Sequence, residues 1–168
     1  MKVHRIAYDM YVAAQHPINS IYNRILDVYT TQWCPQLFPL AKAPHLSHQS
    51  CAVLKWLSTQ VPSRVHVANV RFHFNGWHTD VRYQIKNSTC RFCAESSSKD
   101  SIQHFVRCPG VHQCFPAYMK HGSPPRVPTR TFFLMGLDDK HKIAVSIFMF
   151  GLYTMHNDIR HSGNTQDF

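Results

Sequence analysis

Three cysteines and one histidine between residues 90 and 108 follow the spacing C-x2-C-x10-H-x3-C. A tight turn across two residues can aim two thiolates at one point, and residues four apart on a helix lie on one face. Three thiolates and one imidazole fill a tetrahedral Zn²⁺ shell and leave no position for an activated water. The spacing therefore predicts one structural zinc ion, bound by Cys90, Cys93, His104 and Cys108.

Two alternatives to this zinc site remain open. In the first, the spacing of the four residues is due to chance, the three cysteines are buried as small hydrophobic residues and the histidine is exposed. His112 and Cys114 are substitute ligands in a second alternative, whereas Cys34 and Cys51 are predicted to be buried thiols. Asp100 or Ser101 is predicted to cap the short helix that carries His104. Six cysteines are too few for a disulfide scaffold, so we expect a reducing compartment.

The charge balance favours a polyanionic partner. Lys and Arg outnumber Asp and Glu by 18 to 9, and 12% of the residues are aromatic. Phosphate neutralisation and base stacking make RNA or DNA the first partner to consider, against a basic protein that charge merely keeps soluble. The residues predicted to meet phosphates are Arg64, Arg71, Arg82, Lys86, Arg91 and Arg107, with Trp77, Tyr83 or Phe92 available for stacking.

The hydrophobic periodicity predicts a mostly α fold, a small helical domain with an inserted CCHC zinc-binding loop. Helices are expected over residues 3–15, 18–33, about 47–57, about 63–77 and about 138–158. Ser47 or Ser50 is expected to cap the third of these, and Pro62 to end it. The proline-bearing stretches 34–46 and 121–128 are expected to be an extended linker and a stiff connector. VRYQI, residues 81–85, alternates as a short strand would.

Three segments are expected: an N-terminal helical segment over 1–60, a zinc-binding module over 61–121, and a Pro-rich connector with a C-terminal helix over 122–168. The longest apolar run, 143–155, is shorter than the about 20 residues that cross a bilayer, so no membrane span is expected. Lys2 and Arg5 with one nearby acid, Asp9, favour a mitochondrial location, with nucleus or cytoplasm as alternatives.

Four phrases in order resemble the C-terminal, zinc-containing region of non-LTR retrotransposon reverse transcriptases: VRFHFNGWHTDVRYQ, CRFC, DSIQHFVRCP and IFMFGLYTMHNDIRH. The similarity covers residues 65–161, and we expect no polymerase domain within the 168 residues. The resemblance implies a region that handles nucleic acid, and it nominates Cys90, Cys93, His104 and Cys108 as zinc ligands. Asp138 and Asp139 lack the hairpin context of a polymerase carboxylate pair. No other catalytic motif occurs, so we expect no enzyme activity.

These features together predict a zinc-stabilised RNA-binding protein of retroelement origin. It would be a structural subunit of a large ribonucleoprotein such as a mitochondrial ribosome, with ribosomal RNA and neighbouring proteins as partners. One alternative is a protein-interaction subunit of a non-RNA assembly. Another is a retroelement remnant that aids target-primed reverse transcription.

Overall fold

The fold is known from a computed structural model, which describes residues 19–85, 89–93, 95, 97–119 and 129–162. Within these ranges all regular secondary structure is helical, so the mostly α class is confirmed. The α-helices are α1 (Asn19–Val28), α2 (Cys34–Leu37), α3 (Ala43–Gln60), α4 (Ser63–His73), α5 (Ile102–Phe105), α6 (Pro109–Met119), α7 (Thr129–Phe132) and α8 (Asp139–Ser162). A π-helical turn, Tyr29–Trp33, and a 3-10 turn, Leu40–Lys42, separate the first three. The alternative of short strands around residues 80–90 is wrong for residues 80–84, which successive turns occupy, and residues 86–88 lie outside the described residues.

The described residues fall into two compact units that divide between Val53 and Leu54. This division lies inside α3. Residues 61–121 and 122–168, which the sequence analysis treats as separate segments, belong to the same unit. The three-segment organisation stays a prediction about independent folding. The expected helix at 3–15 and the expected connector at 121–128 lie outside the described residues.

In the N-terminal unit, α1 and the π turn pack against the first half of α3. The Tyr29 hydroxyl lies 2.6 Å from Ser50 Oγ, and the rings of Tyr22 and His48 lie 4.2 Å apart. Ser50 is therefore a core contact, and the prediction that it caps a helix is wrong. Ser47 does not cap one either, since its hydroxyl donates within α3 to the Ala43 carbonyl.

The expected extended linker over 34–46 is also wrong, because its prolines begin helices. Pro35 lies in the first turn of α2, and Pro44 is the second residue of α3. A proline in the first turn loses no intrahelical hydrogen bond, and its fixed φ suits a helix start. The prediction that Pro62 ends α3 is confirmed, since α3 finishes at Gln60, two residues before the proline. Pro62 is also the N-cap of α4.

The C-terminal unit is built on the packing of α4 against α8. The Asn69 side-chain amide donates to the Ser146 carbonyl at 3.0 Å, and Phe72 packs on Phe133 with ring centroids 5.1 Å apart. Trp77, expected inside α4, follows it instead. Asn75 adopts a left-handed φ of 48° that ends the helix, so Trp77 folds back and donates to the Ala68 carbonyl.

Helix α8 begins and ends close to the expected positions. Asp138 acts as its N-cap, since a carboxylate oxygen accepts from the His141 N–H at 2.9 Å. Its buried face includes Val145, Phe148 and Leu152, all under 8% exposed. Across the part of the chain that the structure describes, no helix combines the length and the hydrophobicity needed to span a membrane.

Candidate metal centre

The four residues predicted as zinc ligands converge, and we call them the CCHC cluster (Cys90, Cys93, His104 and Cys108). One ligand atom from each lies within 4.8 Å of all the others. Cys90 Sγ lies 3.7 Å from Cys108 Sγ, and Cys93 Sγ lies 3.4 Å from His104 Nε2. A tetrahedral ion with metal–sulfur bonds of about 2.3 Å and metal–nitrogen bonds of about 2.0 Å requires edges of about 3.8 and about 3.5 Å. These two edges therefore match a bound zinc ion, and the four ligand atoms lie close enough together to hold a metal ion.

Local backbone contacts explain how the first two ligands are placed. The Cys90 N–H donates to the Ser98 carbonyl at 2.7 Å, which closes the polar loop between the two ligand pairs. The Phe92 N–H points at Cys90 Sγ from 3.4 Å, as expected for a tight turn around a thiolate. The CxxC turn is therefore shaped by its own backbone.

The second ligand pair depends on the start and the end of α5. Ser101 is the N-cap, and its hydroxyl accepts from the His104 N–H at 3.1 Å, so one of the two predicted caps is confirmed. The helix ends at Phe105, and a turn brings Cys108 to the cluster, with the Cys108 N–H on the Phe105 carbonyl at 3.3 Å. The two ligands are thus adjacent, although the helix does not run on to Cys108.

The two buried thiols of the cluster, Cys90 and Cys108, are hydrogen-bonded to each other. Cys90 is 1% and Cys108 0% exposed. The hydrogen bond from Cys108 lowers the pKa of Cys90 to about 5, whereas the same bond raises the pKa of Cys108. Zn²⁺ binds thiolates, so binding of a divalent metal would displace the protons that these thiols carry.

Gly110 lets α6 approach the CxxC turn. A Cβ at this position would lie 2.2 Å from the Phe92 carbonyl oxygen and 2.8 Å from its carbon. Both are backbone atoms of the turn between Cys90 and Cys93, so they cannot move without moving the ligands. The spacing of the ligands does not predict this contact between α6 and the CxxC turn. The only indication in the sequence is the small residue two positions after Cys108.

We expect Gly110→Ala to destabilise the C-terminal unit by about 1–3 kcal/mol, the usual cost of overpacking, and to weaken metal binding. Gly151→Ala is the matched control, because its Cβ would meet nothing within 4 Å and it lies inside α8. That change should stabilise by about 0.5–1 kcal/mol. Chemical denaturation and competitive metal titration of both variants measure the difference; equal behaviour would contradict the close approach.

A buried carboxylate ties the metal loop to the rest of the unit. Asp100 is 0% exposed and accepts from the Asp80 N–H at 2.9 Å. His156 of α8, also 0% exposed, lies 3.0 Å away through Nε2. Arg91, between the first two ligands, forms an ion pair with Asp80 at 3.1 Å. Asp100 therefore joins α8 and the 79–85 turns to the loop that carries the cluster.

The predicted phosphate-contacting residues have different environments. Arg64, Arg82 and Arg107 are exposed, and Arg91 is partly exposed in its ion pair with Asp80. The expectation that Arg71 faces solvent is wrong: it is 8% exposed, and its guanidinium donates to the Tyr153 hydroxyl because α8 covers that face of α4. Lys86 lies outside the described residues.

Among the aromatic residues available for stacking, only Tyr83 has an open ring. It is 47% exposed, whereas Trp77 is 1% exposed and belongs to the core. Phe92 is partly exposed and packs on Phe105, with centroids 5.0 Å apart. Sequence reasoning did not single out Arg160, which lies 4.7 Å above the Tyr83 ring.

The alternative ligands do not join the cluster. His112 directs Nε2 to the Val106 carbonyl at 2.9 Å, and Cys114 is exposed. Of the predicted buried thiols, Cys34 is buried and Cys51 is only half-buried.

No protein-family model, curated protein or solved structure matches this chain. The resemblance to the reverse-transcriptase region stays a prediction. The interpretation of the metal centre depends on the geometry of its four side chains.

Proposed function

We propose that this chain is a non-catalytic, zinc-stabilised RNA-binding protein. In this proposal it is a structural subunit of a large ribonucleoprotein, such as a mitochondrial ribosome, and derives from a retroelement. The observation that carries it is a complete four-ligand metal cluster inside a module whose exposed charge is almost entirely positive.

The donor set selects the metal and its role. Three sulfur atoms and one imidazole nitrogen suit Zn²⁺, and four protein ligands leave no site for a substrate or an activated water. Bound zinc would supply folding free energy to the loop and no chemistry. The burial of Cys90 and Cys108 supports this structural role, because a catalytic ion must be reached by substrate.

Burial of the acids supports a polyanionic partner. Residues 61–121 contain three acids, and two of them, Asp80 and Asp100, are 5% and 0% exposed. Glu95 is the exposed acid there. The exposed cations in the described part of the same module are Arg64, Arg82, Lys99 and Arg107. Exposed cations thus outnumber exposed acids four to one in this part of the module, which favours phosphate contacts.

RNA is favoured over duplex DNA by the exposed ring of Tyr83 beside basic side chains. Aromatic residues stack on unpaired bases, and unpaired loops and ends are the usual targets of RNA-binding proteins.

We expect the zinc-loaded chain to bind single-stranded RNA with an affinity that falls steeply with salt. Four phosphate contacts predict a slope of log K against log salt of about −3, since each single-strand contact contributes about −0.7. Fluorescence anisotropy across a salt series measures it. Purification from the native source should also yield one zinc per chain together with ribosomal RNA. Zinc without RNA, or a salt-independent affinity, would contradict the proposal.

The second candidate is a protein-interaction subunit of a non-RNA assembly. It is supported by exposed apolar side chains on one face of α8, where Ile147, Met155 and Ile159 are 40%, 39% and 39% exposed. A preference for a DNA–RNA junction over plain RNA would instead favour a role in target-primed reverse transcription.

A further inference from the structure

The turns over residues 79–85 form an ordered, exposed platform. The Tyr83 N–H donates to the Asp80 carbonyl at 3.1 Å, and the Ile85 N–H donates to the same oxygen at 3.0 Å. Asp80 itself is buried and held by the Asp100 carboxylate through its backbone N–H. Residues 81–85 are all exposed. The loop that carries the CCHC cluster thus holds the buried side of the platform. The exposed side chains of the platform are available to a partner.

Basic side chains from two distant parts of the chain meet at this platform. Arg160, near the end of α8, donates to the His78 carbonyl at 2.9 Å. Arg82 donates to the Asn75 carbonyl, three residues before His78. Burial lowers the pKa of His78, and the positive charges of Arg71, Arg160 and Arg82 lower it further. These arginines therefore produce a positive potential at the same point, although 78 residues separate Arg82 from Arg160 in the sequence.

An aromatic ring lies within this positive region. The Arg160 guanidinium carbon is 4.7 Å from the Tyr83 ring centroid, and the His78 ring is 5.8 Å from it. Tyr83 remains 47% exposed, so a planar group can reach it. Arginine stacked on an aromatic ring keeps its outward N–H groups for phosphate oxygens. Guanidinium groups beside an open aromatic ring are the combination that binds unpaired nucleotides.

We propose that Arg82, Tyr83 and Arg160 form a contact site for single-stranded RNA. The two guanidinium groups bind neighbouring phosphates, and a base stacks on the Tyr83 ring. The inference rests on the proposed function and assigns it a place. The proposal also gives the metal centre a role. Asp100, on the loop that carries the cluster, holds Asp80 and thereby positions Tyr83.

The test uses the full chain loaded with zinc and a fluorescent oligouridylate of about 12 nucleotides, which has unpaired bases and spans a typical single-strand site. The variant is Arg82→Gln with Arg160→Gln. We expect at least about tenfold weaker binding and a salt slope reduced by about 1.4, since each lost phosphate contact removes about 0.7. Tyr83→Leu, which keeps an apolar side chain, should weaken binding about tenfold and leave the slope unchanged.

The matched control is Arg130→Gln with Lys140→Gln, which removes the same charge from two exposed residues. Lys140 lies about 30 Å along α8 from Arg160, well beyond a Debye length of about 8 Å. We expect less than about a twofold effect from this control.

Arg160 also has structural contacts, so zinc content and unfolding temperature are measured for every variant. If the double arginine variant does not fold, Arg82→Gln with Tyr83→Leu replaces it, because both side chains are exposed. Wild-type protein that does not bind the oligonucleotide would overturn the proposed function and this inference with it. Equal losses in the arginine variant and its control would overturn the site alone and leave RNA binding standing.

Discussion

If the CCHC cluster binds zinc as proposed, Cys108→Ser is expected to abolish zinc binding and to unfold the loop and helices around the cluster. Cys108 is 0% exposed and lies against Cys90, so a serine there leaves three ligands and a buried hydroxyl. Structural zinc contributes about 10–16 kcal/mol to the folding of zinc-finger peptides, against about 5–15 kcal/mol for the whole stability of a typical domain. The measurements are zinc per chain by mass spectrometry and helix content by circular dichroism.

Chelation of the wild-type protein should reproduce this loss, and added zinc should restore helix content in the wild type but not in the variant. Cys114→Ser is the matched control, since Cys114 is exposed and lies outside the CCHC cluster. We expect full zinc content and an unchanged unfolding temperature for it. A Cys108→Ser protein that retains one zinc and its helices would show that the four residues do not form the metal site.

The four candidate metal ligands could be predicted from the sequence because their geometry is local. A CxxC turn constrains its own sulfur atoms, and the second pair is only four residues apart. The contacts that join the cluster's loop to the rest of the C-terminal unit are not local. Asp100 meets His156 across 56 residues, and hydrophobic periodicity carries no signal for a buried acid paired with a distant histidine.

The errors in the predicted fold also come from information that local sequence does not carry. One depends on contacts between distant helices, and the other on the position of a proline within a helix. Periodicity predicts that Arg71 lies on the exposed polar face of α4. In the structure α8 packs against that face, and the Arg71 guanidinium donates to the Tyr153 hydroxyl. The prolines over 34–46 predict an extended linker, whereas Pro35 and Pro44 occupy first-turn positions that tolerate them. Residue propensities indicate where in a helix a residue is tolerated, and the packing of the helices determines which of these positions it occupies.

Asp100→Ala is expected to destabilise the C-terminal unit by about 3–5 kcal/mol, the cost of removing one partner from a buried, hydrogen-bonded charge network. The change leaves the Asp80 N–H and His156 Nε2 without their acceptor. It also releases the loop immediately before the Ser101 cap of α5, so zinc affinity should fall as well. Denaturant unfolding at saturating zinc isolates the first effect, and competition with a chelator measures the second.

Asp139→Ala provides the exposed counterpart. Its carboxylate pairs with Lys142 at 2.9 Å, but the side chain is 68% exposed. Solvent screening limits such pairs to about 0–1 kcal/mol, so this variant should unfold close to the wild type. Comparable losses in the two aspartate variants would mean that burial does not determine the effect.

A double-mutant cycle separates the Asp100–His156 contact from the other contacts of Asp100. His156→Leu removes the imidazole and places an apolar side chain against Phe105, whose ring lies 5.3 Å from the histidine ring. If the two side chains depend on each other, the double variant should lose less than the sum of the two single variants, with a coupling of about 0.5–3 kcal/mol. Strict additivity would instead assign the effect of Asp100 to its hydrogen bond with the Asp80 N–H and its ion pair with Arg91. In that case α8 would be held to the metal loop by the packing of Phe92 and Phe105 on His156 rather than by the carboxylate.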